Sequence, residues 1–501
     1  MYTVFPLVLM FAIFSFSENA SAQSDPLHLP LLTIGEFEYV GAFRLPADTF
    51  GDSDLNYSEG PLAYHAERDS IFIVGHTYQQ AIAEFKVPTL TNSSTLSELE
   101  MAQPPLQNFS SVLDRATSGN NQSLDRIGGL AVIDGTFGPE LVVNAYEYYD
   151  AAADNSESTL VIRDIDNLST STVDGYFEMS GGAGHTAGWI SPVPQVWQSL
   201  IGSPYITGMS SGVPIIGRLS VGPSAFGFDP SAIVGTNNQS GSVTNTQLLD
   251  FSLGSPLQSD LENSSRENDL WTHLSRAVYG FIVPGSRTYA TLGYSGGHTS
   301  GVCYKCTQNN DNLCGGYCAP DADDYYLYYW LWDVEDLVAV KNGQMNASDV
   351  RPYDYGEFAI PFDSVELGGG SFDPESGRLY LSVQRADTEQ GEYSNPPVIV
   401  VYEFSPGTVA ASAKIGKVGK KIIYCVADSE SNMARIDVGE TQGELVSVLS
   451  AKKVIIRAYR KTLARLNNAG SPSSQLARKV KKLRRARRRA RKCAKGTLQL
   501  S

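Results

Sequence analysis

The sequence predicts an all-β fold closed as a β-propeller, with a basic C-terminal appendage. Three observations predict it. Short β-branched and aromatic runs, broken by Gly, Pro, Asn, Asp and Ser, fill residues 30–405 with no helical period. One pattern recurs there: Gly or Pro, small residues, an apolar strand, then in some copies a polar turn and a second apolar strand. Charge divides sharply near residue 405, with 15 Lys+Arg against 49 Asp+Glu before it and 23 against 5 after it, within an overall −16.

The chain opens on residues 4–16, which are apolar but too short to span a bilayer comfortably. Ala20-Ser21-Ala22 follows as a small-residue cleavage site, so 1–22 reads as a secretory signal peptide, although "MYT" supplies no Lys or Arg. The alternative is a buried apolar strand. The expected location is extracellular or periplasmic.

The domain over 30–405 is built from the repeats. The clearest are "EGPLAYHAERDSIFIVGH" (59–76) and "IGGLAVIDGTFGPELVVNAYEYYD" (127–150). "VGPSAFGFDP" (221–230) repeats the first half, and 275–298 and 367–387 repeat the whole. In "FDPESGRLYLS" Asp-Pro opens a tight turn, Gly377 closes it and an alternating strand follows. Five blades are recognised in this way and six or seven are expected, with the Gly-rich first strands lining a central channel. A β-sandwich is the competing architecture. "PPVIVVYEFSPG" (396–407) is placed to close the ring.

Residues 406–440 read as a linker and 441–501 as a basic helical tail. Leu445, Val448, Leu449, Ile455, Tyr459, Leu463 and Leu466 recur at helical spacing. A second, strongly cationic helix spans 471–496, making a helical hairpin; a disordered tail is the alternative. Such a tail suits an anionic cell surface, while an export signal argues against nucleic acid as a partner. A monomer is expected.

Histidine is sparse, six in all, yet three lie in the tripeptide Gly-His-Thr, as His76, His185 and His298. His76 and His298 follow the second strand of a repeat, where other repeats carry Tyr146, Tyr148, Tyr149 or Arg385. The segments entering the next repeat carry Tyr57, Glu59, Arg126, Arg276 and Glu366. On a propeller these two kinds of segment share one face, so the residues are expected around one channel mouth. Neutral His or Tyr serves as acid or base, and Arg as a fork for a carboxylate or sulfate. Glu59 and Glu366 offer an acid/base pair for glycoside hydrolysis. A His at a strand end also serves simply as a hydrogen-bonded plug. P-loop, HExxH and EF-hand patterns are missing from the sequence.

Cys303, Cys306, Cys314 and Cys318 crowd one loop, with Cys425 and Cys493 in the tail. Nested disulfides Cys306–Cys314 and Cys303–Cys318 are the favoured reading in an oxidising compartment. No cofactor is then expected; the alternative is structural Zn held by the four cysteines, with His298 as a replacement ligand. The loop begins just after His298 and is expected to rim the site. "DDYYLYYWLWDVEDLVAVKNG" (323–343) reads as a blade strand followed by a short helix begun by Asp333 and Asp336, or as a platform for stacking sugar rings.

The stretches "YVGAFRLP" (39–46), "IFIVGH" (71–76), "GPSAFGFDP" (222–230) and "VKNG…VRPY…AIPF" (340–362) resemble those of secreted microbial propeller-type proteins of unassigned activity. At the level of architecture the inferred His/Tyr/Arg ring is similar to propeller polysaccharide lyases such as the ulvan lyases, with no motif matched residue by residue. That resemblance implies a polysaccharide partner and β-elimination. His76 or His298, with His185 as a further candidate, would take the C5 proton. A Tyr of 146–149 would protonate the leaving oxygen, and Arg126 or Arg385 would hold the uronate carboxylate. Glycoside hydrolysis and non-catalytic glycan or protein binding stand as the other readings.

Overall fold

The computed structural model describes residues 26–210 and 220–404, the backbone of four strands between 412 and 447, and residues 482–483. The expected signal peptide, 1–22, lies outside the described residues, as does most of the predicted helical tail.

Five antiparallel sheets are arranged as the blades of a propeller. Blade 1 comprises Leu62–His65, Ser70–Val74, Ile82–Lys86 and Gln107–Ser110, from inside outward. Blade 2 comprises Arg126–Gly135, Gly138–Tyr146, Glu157–Ile162 and Val173–Met179, with Gly241–Val243 added in parallel at its rim. Blade 3 is Ile190–Pro192, Tyr205–Thr207, Ala225–Phe228 and Asn245–Leu249. Blade 4 is Arg276–Ile282, Thr288–Gly296, Tyr325–Asp333 and Asp354–Glu357.

Blade 5 takes three strands from the end of the domain, Leu367–Asp373, Arg378–Val383 and Val398–Glu403. Its outer strand is the first among the described residues, Glu38–Arg44, paired from Glu38↔Glu403 to Arg44↔Val398. The segment predicted to close the ring thus does so, over Val398–Glu403 and through an N-terminal partner. Arg44 clamps the joint, donating from Nε and Nη2 to the Asp387 carboxylate at 2.7 and 2.8 Å. With that closure, of the described strands within 26–404 only the short pair Cys303–Tyr304 and Tyr317–Cys318 lies outside the five blades, too little for a sixth or seventh. The extra length that suggested them lies in connections, above all 250–275 and 297–324.

Each inner strand lies against the inner strands of both neighbouring blades, so the five form a continuous ring. Glycine makes the approach possible. A Cβ at Gly128 would overlap the Ala187 carbonyl oxygen of the next blade, and one at Gly368 would overlap that of Glu59. Below the mouth the ring is filled: Trp189 Nε1 donates to the Tyr289 hydroxyl at 3.1 Å, and the Phe372 N–H donates to the Tyr279 hydroxyl at 2.8 Å. All five tryptophans are buried.

Two local expectations hold. The Asp373 carboxylate accepts from the Glu375 and Ser376 N–H groups and Gly377 takes φ +71°, as a tight hairpin needs. Tyr325–Asp333 is a blade strand whose Trp330 and Trp332 are buried, and the Asp333 carboxylate caps the helix Val334–Lys341 at the Glu335 N–H. That strand is core, with only Tyr325 facing the site described below.

The predicted linker needs correction. Ser412–Val418, Lys421–Val426, Met433–Val438 and Leu445–Ser447 form an antiparallel meander. The alternating β-branched run "KIIYCV" accounts for its central strand. Leu445–Ser447 is accordingly strand and not the start of a helix. Among the described residues no helix is long and apolar enough to cross a membrane.

Candidate functional site

A cavity of about 630 Å³ opens at the channel mouth, on the face shared by the loops after each second strand and the segments entering each inner strand. All five blades contribute. Glu59 enters blade 1, Tyr146 ends the second strand of blade 2, and Ser210 follows that of blade 3. His273, Arg276 and Tyr294 come from blade 4, and Glu366 and Arg385 from blade 5. The cysteine loop supplies an outer wall through Gln308, Asn312 and Tyr317, as its position after His298 led one to expect. A narrow extension of about 20 Å³ runs down between the inner strands to Trp189.

Arg276 is the deepest charge. Its Nη2 donates to the Tyr146 hydroxyl at 3.2 Å, and it also bonds Tyr294. Burial by itself would lower the guanidinium, but the Tyr294, Tyr146 and Glu59 oxygens hold it well above its usual range. Burial pushes the Tyr294 phenol up to about 12, against the pull of Arg276. Glu59 accepts from the Thr77 hydroxyl at 3.1 Å, and Glu366 is ion-paired with Arg385. The His273 ring stacks on Tyr317 with centroids 4.1 Å apart, and burial lowers its pKa below 6.5 despite Glu262. A neutral imidazole, two phenols and a guanidinium therefore share one partly enclosed space.

Of the residues singled out from sequence, Tyr146, Glu59, Glu366 and Arg385 meet here. The three Gly-His-Thr histidines do not line the cavity, and the expectation that they converge is corrected. His298 is a plug: Ser295 Oγ lies 2.7 Å from its Nε2 and the Asn268 carbonyl 3.1 Å from its Nδ1. Its ring packs on Tyr328, and burial lowers its pKa. His185 lies on the helical turn Ala183–Thr186 and aims outward, its Nδ1 2.7 Å from Asp250. His76 packs between Tyr57 and Tyr78, with Nδ1 accepting from the Tyr78 N–H at 3.1 Å.

Tyr57 borders a separate depression, of about 490 Å³, which shares Arg385 with the main cavity. Arg126 folds back onto Asp125 at 3.2 Å and over the Tyr148 ring, so Tyr148 rather than Arg126 reaches the wall. Tyr149 is exposed outside the cavity. His273 and Tyr294 were missed, and Arg276 was noted only as one of several polar groups at the mouth. The signal was available: "WTHLSR" is the segment entering blade 4, the position already assigned to the mouth.

The loop cysteines are joined as Cys303–Cys306 and Cys314–Cys318, which corrects the nested pairing. Each bond links near neighbours in sequence at a bend, while the pairs 303/318 and 306/314 face each other across the hairpin through backbone hydrogen bonds.

No family model matches the chain. No curated protein matches it. Among solved structures it is similar to a GH43 endo-arabinanase from Bacillus licheniformis, at 9% identity over 71% of this chain and 96% of that one, with a TM-score of 0.34. It is also similar to an endo-1,5-α-L-arabinanase from Thermotoga petrophila, at 10% identity over 78% and 93%, TM-score 0.29. An ancestral GH74 enzyme matches at 9% identity over 78% of this chain and 43% of that one, TM-score 0.29. At these scores the likenesses carry no functional argument, and the propeller stands on its own strand order.

Proposed function

We propose that the chain cleaves an acidic polysaccharide by β-elimination in the channel-mouth cavity. The observation that carries this reading is the grouping of Arg276 with Tyr146, Tyr294 and a neutral His273 in one cavity. Arg276 would take the uronate carboxylate and stabilise the charge that develops as the C5 proton leaves. His273 would accept that proton as its neutral imidazole. The C4–O bond then breaks as a C4–C5 double bond forms, and the Tyr146 phenol donates its proton to the leaving oxygen. Tyr317, backed by His273, and Tyr325 offer ring faces for stacking the flanking sugars.

Hydrolysis is the second reading, favoured by one observation: the carboxylates of Glu59 and Glu366 line the same cavity. Incubation with a panel of uronate and neutral polysaccharides separates the two. Elimination yields an unsaturated sugar that absorbs in the ultraviolet; hydrolysis yields reducing ends without it. Binding with neither product would leave a non-catalytic glycan-binding propeller and would overturn both readings.

A further inference from the structure

The cysteine loop carries more than a wall. Its short ladder sets Cys303 opposite Cys318 and Tyr304 opposite Tyr317. One step further along the hairpin the Cys314 N–H donates to the Cys306 carbonyl at 3.0 Å, and Thr307 bridges Leu313. The backbone thus gathers the four cysteines crosswise, while the two disulfides run along the chain. The result is a group of three close sulfurs, with the fourth one bond away from it. Cys318 Sγ, bonded to Cys314, lies 3.9 Å from Cys303 Sγ and 3.4 Å from Cys306 Sγ. The sulfurs of Cys303, Cys306 and Cys318 fall within 4.8 Å of one another.

Thiolates held about 2.3 Å from a tetrahedral Zn²⁺ stand roughly 3.8 Å apart. The spacings from Cys318 to Cys303 and Cys306 are already close to that figure, and Cys314, now one bond from Cys318, would swing in as the fourth ligand once that bond is reduced. Cys314 and Cys318 are buried and Cys303 and Cys306 half-buried, so the cluster is shielded on one side and open to an ion on the other. His298 is not a competing ligand, because both its ring nitrogens are engaged by Ser295 and Asn268.

We propose that this cluster is a tetrathiolate Zn²⁺ site, filled when the two disulfides are reduced. A dithiol reductant supplies the electrons: each Cys–Cys bond takes two electrons and two protons, and each dithiol closes to its own disulfide. The four thiols then release four protons on binding one Zn²⁺. Zinc would tie together the two arms that the disulfides brace singly, so the wall formed by Gln308, Asn312 and Tyr317 stays held when those bonds are reduced.

The test uses the full chain, treated with excess dithiol and zinc chloride without oxygen, then desalted, with bound zinc measured by mass spectrometry. One zinc per chain is expected, lost in Cys318→Ser and retained when Cys425→Ser and Cys493→Ser are combined. Cobalt(II) in place of zinc should give thiolate-to-metal charge-transfer absorption together with a tetrahedral ligand-field spectrum. That spectrum reads the unmutated chain, so a misfolded variant does not blunt the test. No retained zinc, zinc that survives Cys318→Ser, or a cobalt spectrum without thiolate bands would each overturn the assignment.

Discussion

The Arg276 guanidinium of blade 4 donates to the Tyr146 hydroxyl of blade 2, 3.2 Å away across the channel mouth. Neither residue has its partner nearby in sequence, and the ring of five inner strands alone brings them together. Replacing Arg276 with Ala should lower kcat/KM on an acidic polysaccharide by on the order of a hundred-fold to a thousand-fold. Arg276→Lys, which keeps the charge and loses the bidentate fork, should recover only part of it. Circular dichroism of both variants checks that the disc still closes; full activity in a folded Arg276→Ala chain would remove the proposed anchor.

A neutral base with a depressed pKa sets the acid limb of the rate profile. Burial lowers His273 below 6.5, so kcat/KM should hold as pH falls to 6.5 and drop only below it. His273→Gln should remove that limb along with most of the rate. A profile whose acid limb is unchanged in the variant would assign the base elsewhere.

His298 predicts a stability effect with its own sign. Its folded pKa is lowered from 6.5 by burial, as is that of His273. The unfolded chain therefore binds protons that the native state refuses once pH falls below 6.5. Stability is full above 6.5 and declines as pH drops toward the depressed native values, which thermal melts across that window would show. His298→Ala should cost about 1–3 kcal/mol by leaving the buried Asn268 carbonyl without its partner and the Ser295 hydroxyl with Ser275 alone, and should flatten part of the pH dependence.

The ring joint is testable by removing one ion. Asp387 is fully buried and its carboxylate is held by both Arg44 nitrogens. Arg44→Ala should cost about 3–5 kcal/mol, because it strands a buried carboxylate. Limited proteolysis should then cut near residues 44–50 before any other part of the disc. An unaltered melting temperature and cleavage pattern would show that the backbone pairing suffices.

Gly128 meets the next blade with no room for a side chain. Gly128→Ala places a methyl on the Ala187 carbonyl and should destabilise the disc by roughly 1–3 kcal/mol. The half-buried Gly138, which has nothing near its missing Cβ but takes φ +124°, serves as the comparison for backbone strain without crowding.

Much of this architecture was legible in the chain. The alternating strands, the turn at Gly377 and the Gly-rich inner strands are local signals, and local signals survive without neighbours. Blade number was not legible, since a connection such as 297–324 has the length of half a blade. The rule that strand ends and incoming segments share a face found Glu59, Tyr146, Glu366 and Arg385. It failed for His76 and His298 because a turn decides where a ring points, and the Tyr78 N–H or Ser295 can draw it aside. His273 obeyed the same rule and was overlooked for lying three residues before its strand.

The pairing of Glu38–Arg44 with Val398–Glu403 imposes an order on birth. Of the disc's strands, the one that leaves the ribosome first is the one whose partner leaves last, so it must wait, solvated and unmatched, while every other blade is made. Until then the assembly is an open arc with a bare flank at each end. Maturation is gated by the arrival of one late strand, and a chain interrupted before residue 398 has no means of locking itself shut.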